Sequence, residues 1–128
     1  IMCGIYGIYS PDKIIEKHNL DTSINLLTHR GPDNKNIWIN KHKNIGLAHR
    51  RLSIIDLSNL ANQPMVSRDK NLVLTFNGEI YNFNEIRNFL KTRGYNFITN
   101  SDTEVLEILT NTVITYSDLL SNRFKLLC

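Results

Sequence analysis

Residues 3–9 read CGIYGIY, and this stretch raises both the question of fold and the question of function. Its density of Ile and Tyr predicts a β-strand that is buried on both faces. Its first residue, Cys3, is either a buried strand cysteine or a nucleophile presented at the start of the strand. An N-terminal nucleophile must have nothing before it, because its own α-amino group then serves as the base. Taken alone, the stretch favours the buried cysteine.

The bulk composition describes one ordinary globular domain. The chain has 128 residues, 41% of them hydrophobic, which is enough for a core. A net charge of +3, from scattered Lys and Arg, gives no case for binding nucleic acid. The 2 cysteines lie at opposite ends, which argues against a disulfide framework and for a reducing, cytoplasmic compartment. No membrane span, signal peptide or metal-ligand spacing is expected.

The rest of the chain predicts strands with interleaved helices, an α+β or α/β pattern. The predicted strands are 36–40, 45–55, 71–76 and 95–99, and residues 56–70 are predicted to be an irregular loop. The predicted helices are 21–28 with Asp21 as cap, 83–93 with a capping box of Asn82 and Glu85 and a stop at Gly94, and 103–114 with a capping box of Ser101 and Glu104.

Asn77 and Gly78 follow a predicted strand and can act as hydrogen-bond donors. The side-chain NH2 of Asn77 and the backbone N–H of Gly78 could together form an oxyanion hole. The other interpretation is a plain Asn-Gly turn that closes a hairpin. The following segment has the pattern of a helix rather than of a partner strand, which counts against the hairpin.

Arg51 and Asp102 carry the charges that would hold a free α-amino acid. Arg51 lies in an apolar strand pattern, and its guanidinium can bind a carboxylate through two parallel hydrogen bonds. Asp102, at the start of a helix, could bind an ammonium group. The structural alternatives are an arginine that reaches solvent or pairs with an Asp, and an aspartate that complements the helix dipole. If both charges bind substrate, Cys3 and the oxyanion donors would act on its side-chain carbonyl.

Several motifs occur in one order over residues 2–107: MCGIYG, HRGPD, GLAHRRLSIIDLS followed by ANQPM, FNGEIYNFNEIR and SDTEV. Together they resemble the class II glutamine amidotransferase domain, and they are most similar to its asparagine synthetase branch. The resemblance implies an α+β fold, the N-terminal nucleophile hydrolase αββα sandwich. It also implies glutamine as the substrate and a glutamyl thioester as the intermediate.

The resemblance assigns a role to each site residue. The implied catalytic residues are Cys3, Asn77 and Gly78. The implied glutamine-binding residues are Arg51, Leu52, Ser53, Ile54, Ile55, Asn77, Gly78, Glu79 and Asp102. Neither a metal nor a cofactor is implied for this part of the protein. ATP and Mg²⁺ belong to the synthetase domain that accompanies the family domain in the same polypeptide, and homodimer formation is left open.

Two departures from the family pattern shape the remaining expectations. Residues 3–128 are expected to be a partial glutaminase domain, because DLLSNRFKLLC stands where a further strand should begin, and the ATP-binding synthetase domain is absent. The alternatives are an inactive fragment and a glutaminase with another acceptor, such as a sugar phosphate. Ile1 would deny Cys3 its free amine, so Met2 is expected to be the true start.

Overall fold

The structure is a computed structural model, and it describes residues 3–53 and 58–111. In chain order the elements are β1 (Gly4–Tyr9), α1 (Lys17–Asn25), β2 (Asn34–Ile39), β3 (Ile45–Arg51), a 3-10 turn (Asn59–Ala61), β4 (Met65–Val66), β5 (Val73–Leu74), α2 (Phe83–Thr92) and α3 (Asp102–Asn111). Within the described residues the fold is therefore α+β, with two sheets and three α-helices. The four-layer sandwich stays a prediction.

The larger sheet is antiparallel and has the strand order β1-β3-β2. Helix α1 covers one face of it, where Leu20 and Ile24 pack with Ala48 of β3 in a buried cluster. The expectation that β1 is buried on both faces was wrong, because its burial alternates and Tyr9 is 67% exposed on the opposite face. The side-chain period of two thus separates a packed face of β1 from an exposed one.

The second core lies between α2 and α3. Ile86 and Leu90 of α2 meet Val105 and Leu109 of α3, and Ile80 completes this buried cluster. Both predicted helices therefore turn an apolar face towards the same core. A short antiparallel ladder, with Met65 opposite Leu74, forms the second sheet. The predicted strand 71–76 is therefore reduced to two residues, and part of the predicted loop 56–70 is its partner strand.

The helix ends agree only partly with the predicted caps. α1 begins at Lys17 rather than Asp21, and the backbone N–H of Glu16 donates to the side chain of Asn19 at its start. Gly94 ends α2 with φ +88°, as expected of a glycine stop. Asn82 makes no side-chain cap bond, so its capping box was wrong.

Ser101 caps α3, because its hydroxyl accepts the backbone N–H of Thr103 at 3.0 Å. Glu104 does not complete the capping box. Its carboxylate instead accepts the backbone N–H groups of Ile98 and Thr99 at 2.9 and 2.7 Å. These bonds explain why the predicted strand 95–99 does not form, since a side chain satisfies backbone donors that a strand partner would otherwise take.

Gly31, in the HRGPD turn, lies directly against the backbone of β3. A Cβ there would clash with the carbonyl group of Arg50 and would lie 2.7 Å from the backbone nitrogen of Arg51. Only a residue without a side chain fits this approach. The turn is then held in place, because the N–H of Asp33 donates to the carbonyl of Arg51 at 3.1 Å.

Candidate functional site

Cys3 lies beside Leu52. Cys3 precedes β1 and Leu52 follows β3, and the antiparallel register that pairs Gly4 with Arg50 brings the two positions together. The backbone N–H of Leu52 donates to the Cys3 Sγ at 3.3 Å, and the thiol lies 3.8 Å from the Leu52 carbonyl oxygen. The thiol is only half-buried, so a ligand can reach it.

Arg51 is 8% exposed and fixes the loop that follows β3. Its Nη1 donates to the carbonyl of Ser58 at 2.7 Å and to Oδ1 of Asn62 at 2.8 Å. Arg51 directly precedes Leu52, the residue that bonds the Cys3 thiol, at the end of the same strand pair. It also has a structural task that the sequence did not reveal.

The HRGPD turn contributes Asp33 to this end of the sheet. Its carboxylate accepts the backbone N–H of Ser53 at 2.7 Å. Ser53 is one of the residues expected to meet a substrate carboxylate, so Asp33 uses one of the donors that this role would need. Ile54 and Ile55, which were assigned the same role, lie outside the described residues.

Asp102 and the Gly78–Ile80 segment form the second part of the site. Asp102 is the first residue of α3 and is buried, and its carboxylate accepts the backbone N–H of Ile80 at 3.1 Å. Because Ile80 directly follows Glu79, this bond keeps the Asp102 carboxylate close to the Gly78–Ile80 segment. Gly78 and Glu79 are exposed, and Asn77 is half-buried, so all three are accessible to a ligand.

Gln63 bridges the segments that carry the second part of the site. It is buried, and its Oε1 accepts the backbone N–H of Phe76, the residue before Asn77. Its Nε2 donates at 3.1 Å to the hydroxyl of Thr103, the residue after Asp102. The loop that contains Gln63 thus determines where both segments lie.

The two parts of the site are connected through this loop. Among the described residues, no hydrogen bond joins Cys3 to Asn77 or Gly78. The connection passes from Arg51 to Asn62, and from the neighbouring Gln63 to the second part. Asn62 and Gln63 lie in the predicted loop 56–70, within the ANQPM motif, and no separate role was predicted for either residue.

His49 is a further residue that the sequence did not single out. It lies two residues before Arg51, on the same face of β3, and is 1% exposed. Burial, with Arg51 acting in the same direction and the nearby backbone of Phe76 opposing, lowers the pKa of His49 to about 4. Within the described residues neither ring nitrogen reaches a partner with hydrogen-bond geometry. The imidazole is therefore neutral near pH 7.

The free energy of unfolding is expected to fall by about 3 kcal/mol between pH 7 and pH 4 through His49 alone. The unfolded chain takes up this proton near pH 6.5, whereas the folded protein resists it until about pH 4. Between pH 7 and pH 4 the unfolded state thus binds more protons than the folded state, and the free energy of unfolding decreases as the pH is lowered. Urea unfolding of His49→Gln at both pH values should show a smaller loss. His42→Gln, at an exposed turn position, should keep the full loss. An undiminished loss in His49→Gln would contradict the assignment.

A cavity of about 340 Å³ lies beside α3 and β4. Asn62 lines it together with Glu104 and Glu107, and burial, with Glu104 nearby, raises the pKa of Glu107. None of the residues predicted to bind glutamine lines this cavity. It is separate from the site at Cys3 and shares only the Asn62 loop with it.

Within residues 3–53 and 58–111, no helix has the length and the hydrophobicity of a membrane span. In the same residues, no group of three or more His, Cys, Asp or Glu side chains is arranged to hold a metal ion.

Comparison with known proteins gives consistent results. A family model described as a glutamine amidotransferase domain matches residues 2–115. Asparagine synthetase [glutamine-hydrolyzing] 1 of Bacillus subtilis is 39% identical over 109 residues, which cover 82% of this chain and 17% of the relative. Putative asparagine synthetase [glutamine-hydrolyzing] 2 of Methanocaldococcus jannaschii is 37% identical over 126 residues, 86% of this chain and 24% of the relative.

A relative with a different name also matches. Amidase chry2 of Gibberella zeae is 39% identical over 87 residues, 68% of this chain and 13% of the relative. The chain thus spans less than a quarter of the length of each of these three curated relatives. The resemblance found in the motifs is confirmed.

Proposed function

Because this chain belongs to the glutamine amidotransferase domain family, we propose that it hydrolyses glutamine to glutamate and ammonia through a thioester on Cys3. The observation that carries the proposal is the position of the thiol. It is accessible, and it lies at the end of the β1–β3 pair, bonded to the N–H of Leu52, the residue that follows the buried Arg51. A nucleophile at the same strand end as a residue that can bind the substrate carboxylate fits an amide-cleaving enzyme for an amino acid.

The proposed reaction has two steps. The Cys3 Sγ attacks the side-chain amide carbon of glutamine, and the α-amino group of Cys3 takes the thiol proton. That proton passes to the leaving nitrogen, the C–N bond breaks, and ammonia departs from the glutamyl thioester. Water then attacks the thioester carbon, the C–S bond breaks, and the sulfur regains a proton as glutamate leaves. The side-chain NH2 of Asn77 and the N–H of Gly78 would stabilise the oxyanion in both steps.

The two ends of glutamine would be bound by different parts of the site. Arg51 and the backbone of residues 52–55 would hold the α-carboxylate. Gly78, Glu79 and Asp102 would hold the α-ammonium group. The bond between the Ile80 N–H and the Asp102 carboxylate supports this grouping, because it keeps Asp102 beside the segment that carries the other two residues.

The role of the complete protein is a wider proposal. Residues 3–128 would supply a glutaminase module, and its ammonia would pass to aspartate activated with ATP and Mg²⁺ in a synthetase domain of the same polypeptide. The two relatives named as glutamine-hydrolysing asparagine synthetases support this assignment. Because one relative is named as an amidase, the second candidate function is transfer of the ammonia to another acceptor, or hydrolysis of glutamine without transfer. A cytoplasmic protein, with homodimers as one form, is consistent with this role.

The amino terminus provides the direct test of the mechanism. Two forms of the protein would be prepared, one beginning at Cys3 and one that retains Ile1 and Met2, and each terminus would be verified by mass spectrometry. Only the first is expected to release glutamate and ammonia in equal amounts, because an amide nitrogen cannot serve as the base. Aminopeptidase removal of Ile1 and Met2 should restore activity to the second form.

Two results would count against the proposal. Equal activity in both forms would exclude the α-amino group as the base. A folded protein beginning at Cys3 that releases no glutamate would exclude the glutaminase function altogether.

A further inference from the structure

Arg87 of α2 is a buried cation whose hydrogen bonds point at the segment before Asp102. Its side chain is 7% exposed, although Arg is rarely buried. Nη1 donates to the carbonyl of Thr99 at 2.6 Å, and Nη2 donates to the carbonyl of Ser101 at 2.9 Å. The guanidinium thus joins two carbonyl groups that lie two residues apart, and the second belongs to the residue that directly precedes Asp102.

Two aromatic rings hold the guanidinium in this orientation. Its central carbon lies 4.6 Å from the ring centre of Phe97 and 5.9 Å from that of Phe83. Phe83 is on the same helix, whereas Phe97 belongs to the segment that Arg87 bonds. Contacts of a cation with ring faces are favourable and stronger when water is excluded. The planar fork of Arg87 is therefore fixed before any substrate binds.

Glu104 of α3 bonds the same segment through other groups. Its carboxylate accepts the N–H groups of Ile98 and Thr99 and, at 2.6 Å, the hydroxyl of Thr99. Carbonyl groups of the segment thus meet Arg87, and its N–H groups meet Glu104. With both kinds of backbone group bonded, the segment has little freedom to shift, and Asp102 follows it without an intervening residue.

We propose that Arg87 is a positioning residue for Asp102, and that through Asp102 it makes the site selective for amides that carry an α-ammonium group. The inference rests on the proposed function, since it assigns Asp102 the substrate ammonium. The Ile80 N–H fixes one oxygen of Asp102, and the Arg87 fork fixes the backbone that carries it. A shift of about 1 Å at such a group is enough to lose much of its contribution to binding and orientation.

The test compares glutamine with 4-carbamoylbutanoate, which is glutamine without its amino group. kcat/KM would be measured for both compounds with the complete protein and with Arg87→Met. The unmodified protein is expected to prefer glutamine strongly. Arg87→Met should lose at least about tenfold of that preference, and the loss should fall almost entirely on glutamine, because 4-carbamoylbutanoate has no group for Asp102 to hold.

Arg93→Met is the matched control. Arg93 follows α2, is exposed, and stacks on Phe89 at 4.7 Å. The Arg93→Met protein should therefore keep the full preference for glutamine over 4-carbamoylbutanoate. Arg87→Lys is the milder variant in case Arg87→Met does not fold. A lysine keeps the charge and the stem but lacks the fork that joins Thr99 to Ser101, so it should lose part of the preference.

The outcomes separate this inference from the proposed function. If the unmodified protein is folded but hydrolyses neither compound, the proposed function is overturned. If the protein hydrolyses glutamine and either folded Arg87 variant keeps the full preference, the positioning role is overturned. An equal loss for both compounds would show that Arg87 supports only the general fold, and this result would also overturn the inference.

Discussion

Cys3→Ala is expected to lower kcat for glutamine hydrolysis by at least about four orders of magnitude. The variant keeps the α-amino group, Arg51 and the proposed oxyanion donors, but no atom remains to form the thioester. The structure predicts little effect on folding, since the thiol is half-buried and makes only weak bonds, to the N–H and the carbonyl group of Leu52. Glutamate release would be followed with glutamine in excess.

Cys128→Ala, at the other cysteine of the chain, is the control for general thiol effects and should retain activity. Mass spectrometry of the unmodified protein, quenched during turnover, should show a glutamyl adduct that the Cys3→Ala protein lacks. Unchanged glutamate release in Cys3→Ala would contradict nucleophilic catalysis by this residue.

Asn77→Ala is expected to lower kcat by about two to three orders of magnitude and to change KM little. The side-chain NH2 would stabilise charge that develops on the carbonyl oxygen only as the reaction proceeds, so its loss affects the transition state more than substrate binding. Asn77 makes no described side-chain hydrogen bond that its removal would break. The fold should therefore tolerate the change.

Asn84→Ala is the matched control, because Asn84 is exposed on α2, where alanine suits the helix. It should leave kcat and KM unchanged. A fall of both kcat and thermal stability in Asn77→Ala would indicate a structural role instead. A rise of KM alone would place Asn77 in ground-state binding rather than in the oxyanion hole.

The local patterns of the sequence predicted the elements that carry the first part of the site. β1 and β3 have the expected apolar runs, and α2 has its apolar face and its glycine stop. The predicted strand 95–99 failed because side chains of the two flanking helices take roles that a strand pattern cannot show. Residues 95–99 have the composition of a strand, but Glu104 bonds the N–H groups of Ile98 and Thr99, and Phe97 contacts Arg87. Such contacts between elements override local propensity.

The same limit applies to the site. Cys3, Arg51 and Asp102 could be selected as candidates because each has a distinctive chemical group at an unusual position. Asn62 and Gln63 could not, since Gln63 bonds a residue 40 positions away and nothing local distinguishes it from a loop amide. His49 has no such distinguishing signal in the sequence. Only the structure shows that its ring is buried without a described partner.

The pairing of β1 with β3 has a consequence for the order of events during biosynthesis. Within the described residues β1 bonds only to β3, whose first residue is Ile45. At about 5–20 residues per second, the ribosome adds this partner only after several seconds. During that interval the residues around Cys3 have no strand to pair with and are open to a processing aminopeptidase. The proposed exposure of the Cys3 amine can therefore occur on an unfolded terminus, before the sheet closes around it.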